Sequence, residues 1–161
     1  MNQFAFLIHP LTIDDFYRKY KLIKHLPQAW INRLLTKLPP LRISEITGVE
    51  SKHAKTRGNF LAITLTSRQM VELPASFVLQ RIIEAGKLAE KLGARILGLG
   101  AFTSVVGDAG LTVARHLKIG VTTGNSLTAA TAIAGTRQAA QIMDIDLKKA
   151  TVVVVGATGS I

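Results

Sequence analysis

The chain has 161 residues, 48% of them hydrophobic and only 6% aromatic, enough aliphatic side chain to bury a sizeable core. It has no cysteine, which excludes disulfides, thiolate metal sites and a cysteine nucleophile within these residues, and fits a cytoplasmic location. Twenty basic residues against ten acidic ones give a formal charge of +10, a balance that attracts phosphates, anionic membrane surfaces or an acidic protein. Phe4–Ile8 is an apolar run closed by His9 and Pro10, a predicted first strand; with no basic leader or cleavage pattern it does not read as a secretion signal. Thr12, Asp14 and Asp15 then open a helix carrying Phe16, Tyr20 and Ile23 on one face. After Pro27, the residues Trp30, Leu34 and Leu38 predict a second helix reaching Pro39-Pro40. Arg18, Lys19, Lys21, Lys24, Arg33 and Lys37 fall in this stretch with no acidic residue among them, mostly on outer faces. An alternative lays both helices on a membrane, with Trp30, Leu34 and Leu35 inward.

Beyond Pro40 the period changes to two. Leu41–Glu50 and Phe60–Thr66 predict a β-hairpin with a basic tip over Ser51–Asn59. Pro74 opens a long helix over Ala75–Leu92, stopped by Gly93, and Ala94–Leu99 is again strand-like. A loop-strand-loop stretch through Val113 and Val121 follows, then an alanine-rich helix over Leu127–Met143 and a final predicted strand of four valines, Val152–Val155, buried on both faces. No run of about 18 apolar residues predicts a membrane span. His9, His25, His53 and His116 are scattered without ligand spacing, so no metal site is expected, and without a stacking-aromatic pattern nucleic acid is not expected as a partner.

Gly156 and Gly159 follow the valine run. A buried strand, a glycine turn and a helix start together cradle a pyrophosphate in nucleotide-binding α/β domains, where glycines admit the phosphates and the helix supplies free N–H groups. Thr158 and Ile161 stand where the G-x-G-x-x-G spacing needs glycine, so the motif is partial. The chain reads as an α/β protein: a substrate domain of mixed sheet and helices over 1–125, a connecting helix over 126–149, and the first strand and glycine loop of a Rossmann domain over 150–161. Two further clusters, Phe102-Thr103-Ser104 and Thr122-Thr123-Gly124-Asn125-Ser126, fall at predicted strand carboxyl ends, where α/β domains bind ligands. Their hydroxyls and amide suit a carbonyl or carboxylate but include no general acid or base; equally, such residues are favoured in turns and caps.

The segments Leu97–Val106, Thr122–Ala129 and Asp144–Gly159, in this order, resemble the aldehyde-forming long-chain acyl-(acyl-carrier-protein) reductases, which are related to shikimate-dehydrogenase-like proteins. The resemblance implies an NADP-dependent (or NAD-dependent) reduction of an acyl thioester, carried by acyl carrier protein or CoA, to an aldehyde. It implies that the catalytic cysteine lies beyond the matched region, that Gly156, Ala157, Thr158, Gly159, Ser160 and Ile161 bind the cofactor, and that Phe102, Thr103, Ser104 and Thr122–Ser126 line the cleft. In that light Lys19, Lys21 and Lys24 are expected to steer an acidic carrier protein. Two alternatives stand beside this reading: a shikimate- or quinate-type dehydrogenase, for which Lys118 and Asp108 are the nearest lysine–aspartate candidates, and a basic binding module without catalysis.

Overall fold

The computed structural model describes residues 3–19, 25–157 and 159, the side chain of Lys19 excepted. The chain divides into two compact units, Met1–Thr123 and Gly124–Ile161. In the first, chain order runs β1 (Gln3–Ile8), α1 (Asp14–Lys19), α2 (Gln28–Lys37), β2 (Leu41–Glu50), β3 (Lys55–Ala62), α3 (Ser67–Glu72), α4 (Ala75–Lys91), β4 (Ala94–Leu99), a 3-10 turn (Ala101–Ser104), α5 (Leu111–Arg115) and β5 (Gly120–Thr122). The sheet has the order β2-β3-β1-β4-β5. β1 runs parallel to β3 and β4, β5 is parallel to β4, and β2 alone is antiparallel. The expected α/β class is what the chain adopts.

Alternation along β1 places Ala5 and Leu7 in the core and turns Phe4 and Phe6 to the opposite face. Leu61 of β3, Ile63 just past it, and Leu97 and Leu99 of β4 extend the buried layer. The amphipathic α4 covers it with Val78, Ile82, Ala85 and Ala89, a 3.6-period stripe. On the opposite face the Phe6 ring lies over Gly98 of β4 and Gly100 just past it. A Cβ at Gly100 would stand 2.7 Å from the Leu7 carbonyl oxygen and 2.8 Å from that ring, so only glycine lets β1 and β4 approach here.

Helix α2 is fixed by its carbonyls. The Thr64 hydroxyl donates to Leu35 O (2.6 Å), Gln69 Nε2 to Asn32 O (3.3 Å) and Arg81 Nη2 to Thr36 O (2.7 Å). A guanidinium at the C-terminus of a helix also meets the negative end of its dipole. Arg81 is held in turn by Glu84 at 2.8 Å and lies over the Phe77 ring. Arg81→Met should therefore destabilise the first unit by about 1–3 kcal/mol, read as a lower urea midpoint.

Several local expectations are corrected. The hairpin's second strand begins at Lys55, not Phe60, because Ser51 closes a four-residue turn: its N–H donates to Ala54 O, and its hydroxyl oxygen accepts from His53 and Ala54. Lys55 and Arg57 thus become strand positions paired with Glu50 and Glu45 rather than a bare basic tip. α3 follows a capping box in which Thr66 and Gln69 satisfy each other's backbone N–H groups. Val113 belongs to a helix, not to a strand. Leu35 is buried, so it cannot join Trp30 and Leu34 on an outward face.

The second unit is helix α6 (Asn125–Ile142) and the segment after it. α6 starts at Asn125, two residues earlier than expected, with Gly124 (φ 78°) as its cap. It ends in a Schellman turn: Ile145 N–H donates to Ala140 O and Asp144 N–H to Gln141 O, with Asp144 left-handed at φ 55°. The valine run forms no strand. Val152–Val155 are 67–95% exposed, because a parallel strand needs a hydrogen-bonded neighbour and none exists among the described residues of this unit.

Candidate functional site

In open α/β sheets ligands bind beyond the strand carboxyl ends, where the strand order reverses. Here the chain leaves β1 toward β3 on one side and crosses to β4 on the other, so the reversal lies at β1. Two backbone features tie its carboxyl end to that of β4. Gly100 N–H donates to Leu7 O at 3.0 Å, and Phe102 N–H donates to the His9 Nε2 lone pair at 3.2 Å. That leaves the imidazole proton on Nδ1, which faces Pro10 O at 3.0 Å. The buried imidazole and the Phe102 ring also meet edge-on, with centroids 5.9 Å apart. Ala101, between Gly100 and Phe102 in the chain, is held at φ 49°, a left-handed conformation that alanine adopts only under constraint.

Beside His9, at the carboxyl ends of β1 and β3, lies a cavity of about 260 Å³. Ile8, Pro10, Leu11, Phe16, Leu41, Ile43, Ala62 and Ile63 form its apolar walls, with His9, Asp15 and Thr64 as the polar members. Each polar member is engaged within the protein. Asp15 accepts from the Leu11 and Thr12 N–H groups (2.8 and 3.2 Å), the Thr64 hydroxyl donates to α2, and both His9 nitrogens are taken. A ligand here would meet hydrocarbon rather than free donors, which suits an apolar chain.

The expected cleft residues divide. Phe102 is partly exposed beside His9, whereas Thr103 is buried with its hydroxyl donating to Gly100 O (2.7 Å), and the Ser104 hydroxyl donates to Ala101 O (2.7 Å). Those two hydroxyls hold the turn. Thr122 closes β5 and Thr123 follows it, and the parallel pairing of β5 with β4 sets them at the same sheet edge. Gly124, Asn125 and Ser126 open α6 in the second unit, as cap and first turn. Also in that unit, Gly156 is left-handed (φ 76°) and its carbonyl accepts from Gly159 N–H at 2.8 Å, a closed turn that includes Ala157. Thr158, Ser160 and Ile161 lie outside the described residues, as do Lys21, Lys24 and the side chain of Lys19. A pyrophosphate cradle also needs a paired strand and a helix N-terminus around that turn. Neither is formed among the described residues.

His9 was not singled out as functional in the sequence. Its partner is 93 positions away, and the visible signal was only a histidine directly after a strand. Among the described residues no group of three or more His, Asp or Glu side chains could hold a metal, and no helix is long and apolar enough to cross a membrane.

Asp108 does not pair with Lys118. Both its carboxylate oxygens accept from Thr112 N–H at 3.0 Å, and the Thr112 hydroxyl donates to it at 2.7 Å. The Thr112 hydroxyl, then its N–H and more weakly Arg115, hold the Asp108 carboxyl below the ordinary value. A depressed carboxylate supports the fold fully above its unfolded-state value of about 4 and loses that support as pH falls through the lower folded-state value. Protection of the Thr112 amide from hydrogen exchange should therefore weaken over that acid range, and Asp108→Asn should remove the pH dependence.

No family model matches the chain. It is 30% identical over 130 residues to a long-chain acyl-(acyl-carrier-protein) reductase of Synechococcus elongatus, a match covering 76% of this chain and 38% of that protein. It is 28% identical over 171 aligned residues to the aminotransferase PigE of Serratia, covering 99% of this chain and 19% of that protein. The chain thus spans about a fifth of one curated relative and under two fifths of the other.

Proposed function

We infer that this chain is the acyl-holding part of an oxidoreductase that reduces fatty acyl thioesters to aldehydes, in which the cavity at the carboxyl ends of β1 and β3 takes the hydrocarbon chain. The observation that carries the reading is the chemistry of that cavity: apolar walls, and polar members that already have partners. Similarity to an acyl-carrier-protein reductase supports the substrate class. Thr122 and Thr123, on the same sheet edge, are proposed to face the thioester end, and the Gly156–Gly159 turn to contact a nicotinamide cofactor, NADP or NAD. Basic residues Lys19, Lys21 and Lys24 are proposed to speed encounter with an acidic carrier protein.

The aminotransferase similarity covers only a fifth of that relative. The shikimate-type alternative loses support because Asp108 is engaged with Thr112. The direct test supplies the whole protein with a long-chain acyl thioester and NADPH and follows aldehyde by mass spectrometry. Aldehyde formed in step with NADPH oxidation supports the reading; oxidation of a polyol, or transfer of an amino group with no aldehyde, overturns it.

A further inference from the structure

We propose that the outward face of α2 is a docking surface for an anionic lipid bilayer. Helix α2 carries two apolar stripes. Ile31 and Leu35, four residues apart, are buried in the domain. Trp30 and Leu34, also four apart, point outward at 72% and 49% exposure, with Leu26 beside them at 46%. A helix that only packed on its own domain would carry polar residues there. These side chains border an open groove of about 550 Å³ rimmed by Arg33 and Lys37.

Charge complementarity selects the occupant. The sequence has no acidic residue between Asp15 and Glu45, and the chain as a whole carries +10. Trp30 and Leu34 project from a single short helix rather than lining a closed slot. A folded partner would need a matching cavity to receive them, whereas a bilayer interface deforms around such a projection. Tryptophan favours that boundary, with its ring among acyl chains and its N–H near the headgroups, while Arg33 and Lys37 reach lipid phosphates. The bonds from Thr64, Gln69 and Arg81 to α2 carbonyls hold the face in one orientation, so little is lost in ordering it on contact. The proposal does not depend on the reading of the cavity, which is built from other side chains.

Trp30 is the only tryptophan in the chain, so its fluorescence reports on this face alone. Adding vesicles of equal parts phosphatidylglycerol and phosphatidylcholine to the 161-residue chain should shift its emission to the blue, saturably, with quenching by lipids brominated along the chain. Pure phosphatidylcholine should produce far less, and added salt should reverse the shift. The surface variant Arg33→Glu/Lys37→Glu, shown to be folded by circular dichroism, should need at least about tenfold more lipid for half-saturation. Leu34→Gln should weaken binding while leaving its salt dependence intact. An unchanged emission with acidic vesicles overturns the proposal, as does an equal response to neutral ones. A blue shift that grows with protein concentration in the absence of lipid would assign the face to a second copy. A response to polyglutamate but not to vesicles would assign it to an acidic polypeptide. Either of these results also overturns the lipid assignment.

Discussion

Leu7→Ala should destabilise the first unit by about 3–5 kcal/mol, the upper part of the range for a buried leucine. Leu7 is fully buried in the central strand and aligned with Leu61 and Leu99 on its two neighbours. Strands on both sides and α4 above prevent the site from collapsing into the space left behind, so the cavity persists. Because domains of this size are stable by only about 5–15 kcal/mol, this one change should remove a large part of the total. Urea unfolding followed by circular dichroism measures it. A shift under 1 kcal/mol would mean that β1 is not the centre of the sheet.

Ala62→Phe should leave the fold intact and obstruct the cavity. Ala62 is half-buried, aligned with Ile8 on β1 and Leu41 on β2, and its side chain lines the wall. Phenylalanine favours a strand and would fill the space that an acyl chain is proposed to occupy. Each methylene excluded forfeits about 0.8 kcal/mol, so displacing four of them should lower kcat/KM for long-chain thioesters about two-hundredfold in the whole protein. Acetyl thioesters, which do not reach the cavity, should react at an unchanged rate. Equal loss for long and short acyl groups would place the chain elsewhere.

What could be read from sequence depended on how local the determining physics was. β1 and β4 were legible as short apolar runs and α4 by its 3.6 period, which marks the face that is buried. α3 was overlooked although Thr66 and Gln69 stand at capping-box spacing, because its six residues are too few to show a stripe. The loop-strand-loop expectation through Val113 and Val121 fails at Val113, where the Asp108–Thr112 bonds start a helix. The run Val152–Val155 has the composition of a central strand, yet composition provides no neighbour, and in the described residues it is unpaired.

The site divides along the same line. Thr122 and Thr123 could be placed at a strand carboxyl end from sequence order alone. Phe102-Thr103-Ser104 was placed as well, but which of its hydroxyls turn inward depends on the geometry of the 3-10 turn. The cavity was invisible, since its wall combines residues from β1, α1, β2 and β3 that touch only once the sheet is assembled. The tie between His9 and Phe102 was hidden for the same reason.

The central claim is that the ends of β1 and β3 receive a hydrocarbon chain. It is tested most directly by titrating the isotopically labelled 161-residue chain with a long-chain acyl pantetheine thioester and following methyl and imidazole NMR signals. Saturable shifts at Ile8, Ile43, Ala62, Ile63 and the His9 ring, absent with the acetyl thioester, are the predicted result. Shifts confined to other surfaces, or none at these five residues, would contradict the account.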